Sequence, residues 1–178
     1  LTMHKRRTHI LTFGTPDYGR SLTIQAEALK RFSDVSHIVC GPDHPAVQQA
    51  MSENPNLFAQ PRGFGYWIWK YYLLLDAMKH LPDGDHLIYL DAGIAPVADM
   101  THWFKEITQF ESCFFRPDPA HLAAHWTKRD CFIQLECDAP TYHNAPILSA
   151  GIQSYIVGDK ARDFLSLVKS SKQISGVL

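Results

Sequence analysis

Short apolar runs of β type alternate along this sequence with segments of helical periodicity, and that alternation most constrains the fold. The strand-like runs are Thr8–Gly14, Val35–Gly41, His86–Gly93, a run that begins at Ser112, and Ala150–Gly158. The helical segments are Ser21–Phe32, Pro45–Glu53, Tyr66–His80, Thr101–Phe110, a segment from Ala120 at least to Lys128, and Asp159–Ile174. Strands that alternate with helices predict an α/β fold with helices on both faces of the sheet.

Length and composition narrow the class of protein further. The chain has 178 residues, 46% hydrophobic and 20% charged, which predicts a single globular domain over residues 1–178. The net charge of −1 at pH 7 gives no indication of a nucleic-acid partner. No apolar run is long enough to predict a transmembrane helix. The four cysteines are far apart, which favours reduced thiols and a cytoplasmic protein.

The stretch RGFGYWIWKYYLLL places a cation, Lys70, near the start of an apolar helix. The N-terminus of a helix carries a partial positive charge, so a lysine there is unfavourable by about 0.3–1 kcal/mol. Two interpretations are open. In the first, the lysine stem follows the apolar face and its ammonium group reaches water. In the second, an anion such as a diphosphate binds there, with charge from Arg62 and Lys70 and close backbone approach at Gly63 and Gly65.

The run LIYLDAG ends in a carboxylate, Asp91, which directly follows four apolar residues. Ligands of open α/β sheets bind beyond the carboxyl ends of the strands. A carboxylate in that place can hold a metal, orient a ribose hydroxyl or act in acid–base chemistry, and it can also simply cap a loop. Gly93 indicates a tight turn or the close approach of a ligand. The small residues Ser149–Gly151 open a later strand, which leaves room either for a ligand or for tight packing.

The order of these pieces resembles the GT-A glycosyltransferases that use nucleoside-diphosphate sugars, and most closely the bacterial lipopolysaccharide and capsule type. In that family an aromatic-rich helix with a cation precedes a strand that reads Y-L-D-x-D, and a small-residue stretch follows later. Here Tyr89, Leu90 and Asp91 match the first three positions, and Gly93 stands in place of the second aspartate. The resemblance covers roughly Thr8–Val168. The chain also resembles, more distantly, the galactosyltransferase-like group.

The resemblance implies a Rossmann-like, mostly parallel sheet and transfer of a sugar to a saccharide or lipid-linked acceptor. It implies a site for a nucleotide sugar, such as a UDP-sugar, made of Phe13, Gly14, Arg62, Gly63, Gly65, Tyr66, Trp67, Lys70, Ala92, Gly93, Ser149, Ala150 and Gly151. Asp91 is the candidate catalytic residue and metal ligand. Asp130 and Glu136 are candidates for activating the acceptor. An acceptor carried by a lipid would place the protein peripherally at the inner face of a membrane.

Two departures from the family pattern affect these expectations. Because Gly93 removes one carboxylate, a site for Mn²⁺ or Mg²⁺ would lack a ligand, and Arg62 with Lys70 could neutralise the leaving diphosphate instead. The His or Lys that relatives place on the diphosphate in their C-terminal region has no counterpart. Either the chain lacks a C-terminal segment or the enzyme is degenerate, and a non-catalytic nucleotide-sugar-binding module is the alternative function.

Overall fold

A computed structural model of the chain describes residues 6–60, 62–116, 118 and 120–175. Its centre is a five-stranded sheet of β1 (Thr8–Phe13), β2 (Val35–Cys40), β3 (His86–Leu90), β4 (Ser112–Phe115) and β5 (Ser149–Ile156). The strand order is β2-β1-β3-β5-β4. β1 pairs in parallel with β2 and β3, whereas β5 is antiparallel to both of its neighbours, β3 and β4. Four of the five strands therefore point one way, and the expected mostly parallel α/β sheet is confirmed.

Ten helical segments surround the sheet in the described part of the chain. They are α1 (Gly19–Leu29), α2 (Pro45–Glu53), α3 (Pro55–Phe58), α4 (Gly63–Tyr66), α5 (Trp69–His80), α6 (Thr101–Ile107), α7 (Ala123–Trp126), α8 (Arg129–Gln134), α9 (Pro140–His143) and α10 (Asp159–Ser175), and a 3-10 turn (Pro16–Tyr18) precedes α1. Helices α2, α5 and α10 pack on one face of the sheet, and α1 and α6 pack on the other. None of the described helices has the length and apolar character needed to cross a membrane.

β3 is buried along its whole length, and this explains its continuous apolar sequence. Successive side chains of a strand point to opposite faces of the sheet. Leu87 and Tyr89 therefore pack under α5 and α10, while Ile88 and Leu90 pack under α1 and α6. A strand covered on both faces cannot alternate apolar with polar residues, so the polar side chains that flank β3 must lie at its two ends.

The predicted helices Ser21–Phe32 and Thr101–Phe110 end three residues earlier, at Leu29 and Ile107, and two others differ more. The helix expected over Tyr66–His80 begins only at Trp69, because Tyr66 and Trp67 have positive φ and belong to a preceding left-handed turn. The helix expected from Ala120 to at least Lys128 is replaced by α7 and α8, which extended backbone at Thr127 and Lys128 separates.

Backbone hydrogen bonds explain the second error. The Ala123 amide donates to Ala145 O and the Ile147 amide donates to His121 O, so a distant segment competes for this backbone. The helical pattern of the sequence carries no sign of that partner.

Candidate functional site

The reversed direction of β5 brings its first residues beside the end of β3. The Asp91 amide donates to Gly151 O at 2.9 Å, directly beyond the last paired residues of the two strands. A Cβ atom built on Gly151 would lie 2.9 Å from Asp91 Oδ2, closer than side chains normally approach. The small residues Ser149–Gly151 thus lie where the Asp91 side chain passes over β5, and they belong to the same site as Asp91.

The ammonium group of Lys70 contacts the Asp91 carboxylate. Lys70 Nζ lies 3.2 Å from Asp91 Oδ1, and it also donates to Ala150 O at 2.7 Å. The lysine side chain is only 3% exposed, so it does not extend to solvent. The anion that compensates the cation at the start of α5 therefore belongs to the chain itself, and burial lowers the pKa of Lys70 although the charge of Asp91 opposes that shift.

Tyr89 completes the environment of the carboxylate. Its hydroxyl donates to the same oxygen, Asp91 Oδ1, at 2.7 Å, and its ring centre lies 4.2 Å from Lys70 Nζ. Burial, together with the nearby charge of Asp91, raises the pKa of Tyr89. The phenol therefore stays protonated as a donor, and one carboxylate oxygen is held by two groups.

The backbone around Asp91 is supported from the opposite face of the sheet. Gln25, which is fully buried on α1, donates through Nε2 to Asp91 O at 3.1 Å and to Ile94 O at 2.6 Å. The Ile94 amide donates back to Asp91 O and closes a tight turn. Asp91 is thus positioned by β3, β5 and α1 together, so a ligand in front of it would meet a rigid carboxylate.

A cleft of about 620 Å³ opens in front of this carboxylate. It is lined by Phe13, Gly14, Thr15, Asp17, Tyr18, Gly63, Phe64, Trp67, Trp69, Tyr89, Asp91, Ala92, Gly93 and Ile94. The side chain of Asp91 is 42% exposed, in contrast to the buried Lys70 behind it. Such a volume, with aromatic walls and polar groups that include the carboxylates of Asp17 and Asp91, is typical of sites for small organic ligands.

One wall of the cleft is a left-handed turn formed by residues 63–67. All five residues have positive φ: Gly63 62°, Phe64 48°, Gly65 80°, Tyr66 52° and Trp67 59°. Residues other than glycine rarely adopt this region, and strained backbone of this kind is concentrated at functional sites. The turn folds the Trp67 ring back over Gly63, where a Cβ atom would lie 2.7 Å from the ring. Trp67 remains 39% exposed on the cleft.

The structure brings together most of the residues predicted for the site. The cleft-lining residues among them are Phe13, Gly14, Gly63, Trp67, Asp91, Ala92 and Gly93. Lys70, Ala150 and Gly151 lie behind the cleft, in contact with or directly beside Asp91, and the Ser149 hydroxyl accepts from the Gly151 amide. Gly65 and Tyr66 belong to the left-handed turn, and the exposed Arg62 lies with its guanidinium carbon 5.9 Å from the centre of the Trp67 ring.

Asp130 and Glu136 are exposed residues at α8, outside the described lining of the cleft. Their predicted action on the acceptor stays a prediction.

Two supporting residues were not among the predicted site residues, although Tyr89 was part of the motif that carried the resemblance. Tyr89 precedes Asp91 by two positions, and side chains two positions apart on a strand lie on the same face of the sheet. The spacing in the sequence therefore indicated that Tyr89 could contact Asp91. Gln25 lies between Leu22 and Leu29 on the apolar face of α1, and a polar residue at such a position indicates a buried hydrogen-bonding role.

Comparison with known proteins supports the fold. No family model and no curated protein matches the sequence. Among solved structures, the glycosyltransferase GlyE of Streptococcus pneumoniae TIGR4 aligns with a TM-score of 0.50 and 15% identity, over 94% of this chain and 39% of GlyE. The apo form of mouse xyloside xylosyltransferase 1 aligns with a TM-score of 0.51 and 10% identity, over 96% of this chain and 74% of that protein. The chain thus shares its fold with these solved glycosyltransferases and spans well under half the length of GlyE.

Proposed function

We propose that the chain is a glycosyltransferase that moves a sugar from a nucleoside-diphosphate sugar to an acceptor hydroxyl. The observation that carries the proposal is the half-exposed carboxylate of Asp91, fixed at the carboxyl end of the central strand in front of a 620 Å³ cleft. A rigid acceptor of hydrogen bonds at that place suits the hydroxyls of a sugar or a ribose. The fold that the chain shares with solved glycosyltransferases independently supports the proposal.

The walls of the cleft suit the parts of such a donor. Trp67 presents an exposed aromatic surface on which a base or a sugar ring can stack. Arg62, exposed beside Trp67, supplies the charge that a diphosphate requires. Phe13 and Gly14, at the end of β1, would lie near the nucleoside.

In the proposed reaction the bond between the anomeric carbon and the diphosphate oxygen breaks, and the acceptor oxygen forms the new bond to that carbon while the proton of its hydroxyl is released to water. Charge develops on the departing diphosphate, and cationic groups held in place before the reaction stabilise it. Asp91 is the proposed catalytic residue that orients the donor sugar. Lys70 acts through Asp91, because its Nζ contacts the carboxylate from behind the cleft. The proposed donor is a UDP-hexose or similar compound, and the acceptor is a saccharide or a lipid-linked sugar in the cytoplasm, at the inner face of a membrane.

Nucleotide binding followed by turnover tests the proposal. A thermal-shift panel of UDP, GDP, CDP and ADP identifies the base, and a library of nucleotide sugars then identifies the donor by release of the free nucleotide. Asp91→Asn keeps the shape and the hydrogen-bond acceptor but removes the charge, so release should fall about a hundredfold while the fold is kept. Asp34→Asn, at an exposed aspartate beyond the opposite end of the sheet, is the matched control and should not change release.

Normal release by the Asn variant would exclude a catalytic role for Asp91. Nucleotide binding without release from any donor would instead indicate a binding module of the same fold.

A further inference from the structure

The carboxylate that would receive a divalent metal in a D-x-D motif already has a cation beside it. Lys70 Nζ lies 3.2 Å from Asp91 Oδ1, and its position is fixed by the carbonyl of Ala150 at 2.7 Å and by the ring of Tyr89. The lysine is 3% exposed and extends from the first turn of α5, so its ammonium group cannot move away into water without disturbing the core. A metal ion bound at Oδ1 would stand next to this fixed positive charge.

The remaining ligands do not suit a divalent cation either. The position of the second carboxylate is Gly93, which is exposed and has open space where a side chain would be. Across residues 6–60, 62–116, 118 and 120–175, no three His, Cys, Asp or Glu side chains are grouped so that they could hold a metal ion. Mg²⁺ and Mn²⁺ prefer several oxygen ligands, and Asp91 beside an ammonium group does not provide them. Asp17, the other carboxylate that lines the cleft, forms no such group of three with Asp91.

We propose that the Lys70 ammonium is the built-in cation of this site and that the cleft in front of Asp91 binds nucleoside diphosphates without a divalent metal. A bare carboxylate in the cleft would repel an approaching diphosphate, and a metal usually removes that repulsion. Here Lys70 neutralises Asp91 from behind, through Oδ1, and leaves the front of the cleft to the ligand. Within the described part of the chain no donor contacts Asp91 Oδ2, so this oxygen accepts from a hydroxyl of the ligand.

The proposal rests on the proposed function only in taking a nucleoside diphosphate as the ligand. Metal exclusion can be measured on the protein alone, with Mn²⁺ as the probe and the electron paramagnetic resonance signal of the free ion as the readout. Four proteins are compared: the wild type, Gly93→Asp, Lys70→Met and the double variant. Gly93→Asp restores the missing carboxylate in open space, and Met is an apolar side chain of similar length for the buried position of Lys70.

The double variant is expected to bind Mn²⁺ at least tenfold more tightly than Gly93→Asp alone, because the ammonium group is then gone and two carboxylates are present. The wild type should show no Mn²⁺ site at millimolar concentration. Tight Mn²⁺ binding by the wild type, or equal affinities of Gly93→Asp and the double variant, would overturn the proposal.

Nucleotide binding by the unmodified chain provides the second measurement, which remains decisive if the Lys70 variants do not fold. The wild-type affinity for UDP, or for the nucleotide that the panel selects, should change less than threefold between EDTA and excess Mn²⁺. A tenfold loss in EDTA would overturn the built-in cation. If no nucleotide binds under either condition, the proposed function fails, whereas the Mn²⁺ titration of the protein still decides whether Lys70 excludes the metal.

Discussion

Asp85 and Asp91 stand at opposite ends of the same buried strand, β3, and each carboxylate meets a basic side chain. At the amino end, Asp85 is 1% exposed, accepts from the Arg7 amide at 3.0 Å through Oδ1, and lies 2.9 Å from His9 Nε2 through Oδ2. At the carboxyl end, Asp91 is 42% exposed and uses Oδ1 for both Lys70 and Tyr89. The two sites share residue types and differ in how much of the carboxylate is left for a ligand.

This difference separates a structural carboxylate from a candidate functional one. Both oxygens of Asp85 bind within the protein, and a cavity of about 440 Å³ nearby is lined by Arg7 and His9 but not by the aspartate. Asp91 itself lines a cleft and keeps part of its surface open to that cleft. The contrast predicts that changes at Asp85 act on stability, whereas changes at Asp91 act on ligand binding and turnover.

The largest expected effect is on the stability of an Asp85→Ala variant. The change leaves the Arg7 amide and the buried His9 ring without their acceptor, and the free energy of unfolding should fall by about 3–5 kcal/mol. Asp91→Asn, which keeps an oxygen acceptor for Lys70 and Tyr89, should cost about half of that or less, because this side chain is already 42% exposed and faces the cleft. Urea unfolding of both variants measures the difference. Equal losses of stability would break the distinction between the two ends of β3.

A smaller effect is expected from two glycines near opposite ends of β5. A Cβ atom on Gly151 would crowd Asp91 Oδ2 at 2.9 Å, while a Cβ atom on Gly158 would meet nothing within 4 Å. Gly151→Ala should therefore cost about 1–2 kcal/mol of stability, as overpacking does, and should weaken nucleotide binding by pushing the held carboxylate out of place. Gly158→Ala is the matched control and should change neither melting temperature nor affinity. Wild-type affinity in Gly151→Ala would show that the carboxylate can shift without consequence.

The sequence predicted the α/β class, all five strands and the approach of most site residues to one edge of the sheet. The fold class and the strands rest on local signals, apolar runs and helical periodicity. The set of site residues rests on the family resemblance, with Asp91 directly after a buried strand as its local signal. The direction of β5 is not a local property. Its reversal places Ser149–Gly151 beside Asp91, and it appears only once the strands are paired.

The interpretation of Lys70 shows the same limit. An apolar helix with a cation in its first turn left two interpretations open, an ammonium group that reaches water and a bound anionic ligand, and neither identified an anion within the protein. Asp91, 21 positions later, is the anion in contact with it. The sequence likewise did not predict the left-handed turn over residues 63–67. Phe64, Tyr66 and Trp67 all have positive φ there, which their residue types disfavour.

The smallest expected effect is a change in the pH dependence of stability at the Asp91 end, in a Tyr89→Phe variant. Burial and the charge of Asp91 raise the pKa of Tyr89 above its ordinary value of 10.0, so the folded state keeps the phenol proton where the unfolded chain releases it. Stability from this group is therefore complete below pH 10 and declines above it, by at most about 1.4 kcal/mol per pH unit. The phenyl ring of the variant has no such proton, so the variant should lose less stability than the wild type between about pH 10 and pH 12.

Unfolding midpoints in urea at pH 8 and pH 11 test this expectation. At pH 8 the variant should be about 1 kcal/mol less stable than the wild type, because the hydrogen bond to Asp91 Oδ1 is lost. At pH 11 the gap should narrow or close. Other groups with raised pKa, among them Cys40 at about 11, Tyr71 at about 12 and Tyr155, are present in both proteins and cancel in the difference. A gap that stays constant with pH would mean that Tyr89 ionises in the folded state, and that the Asp91 end of β3 is open to water far behind the carboxylate.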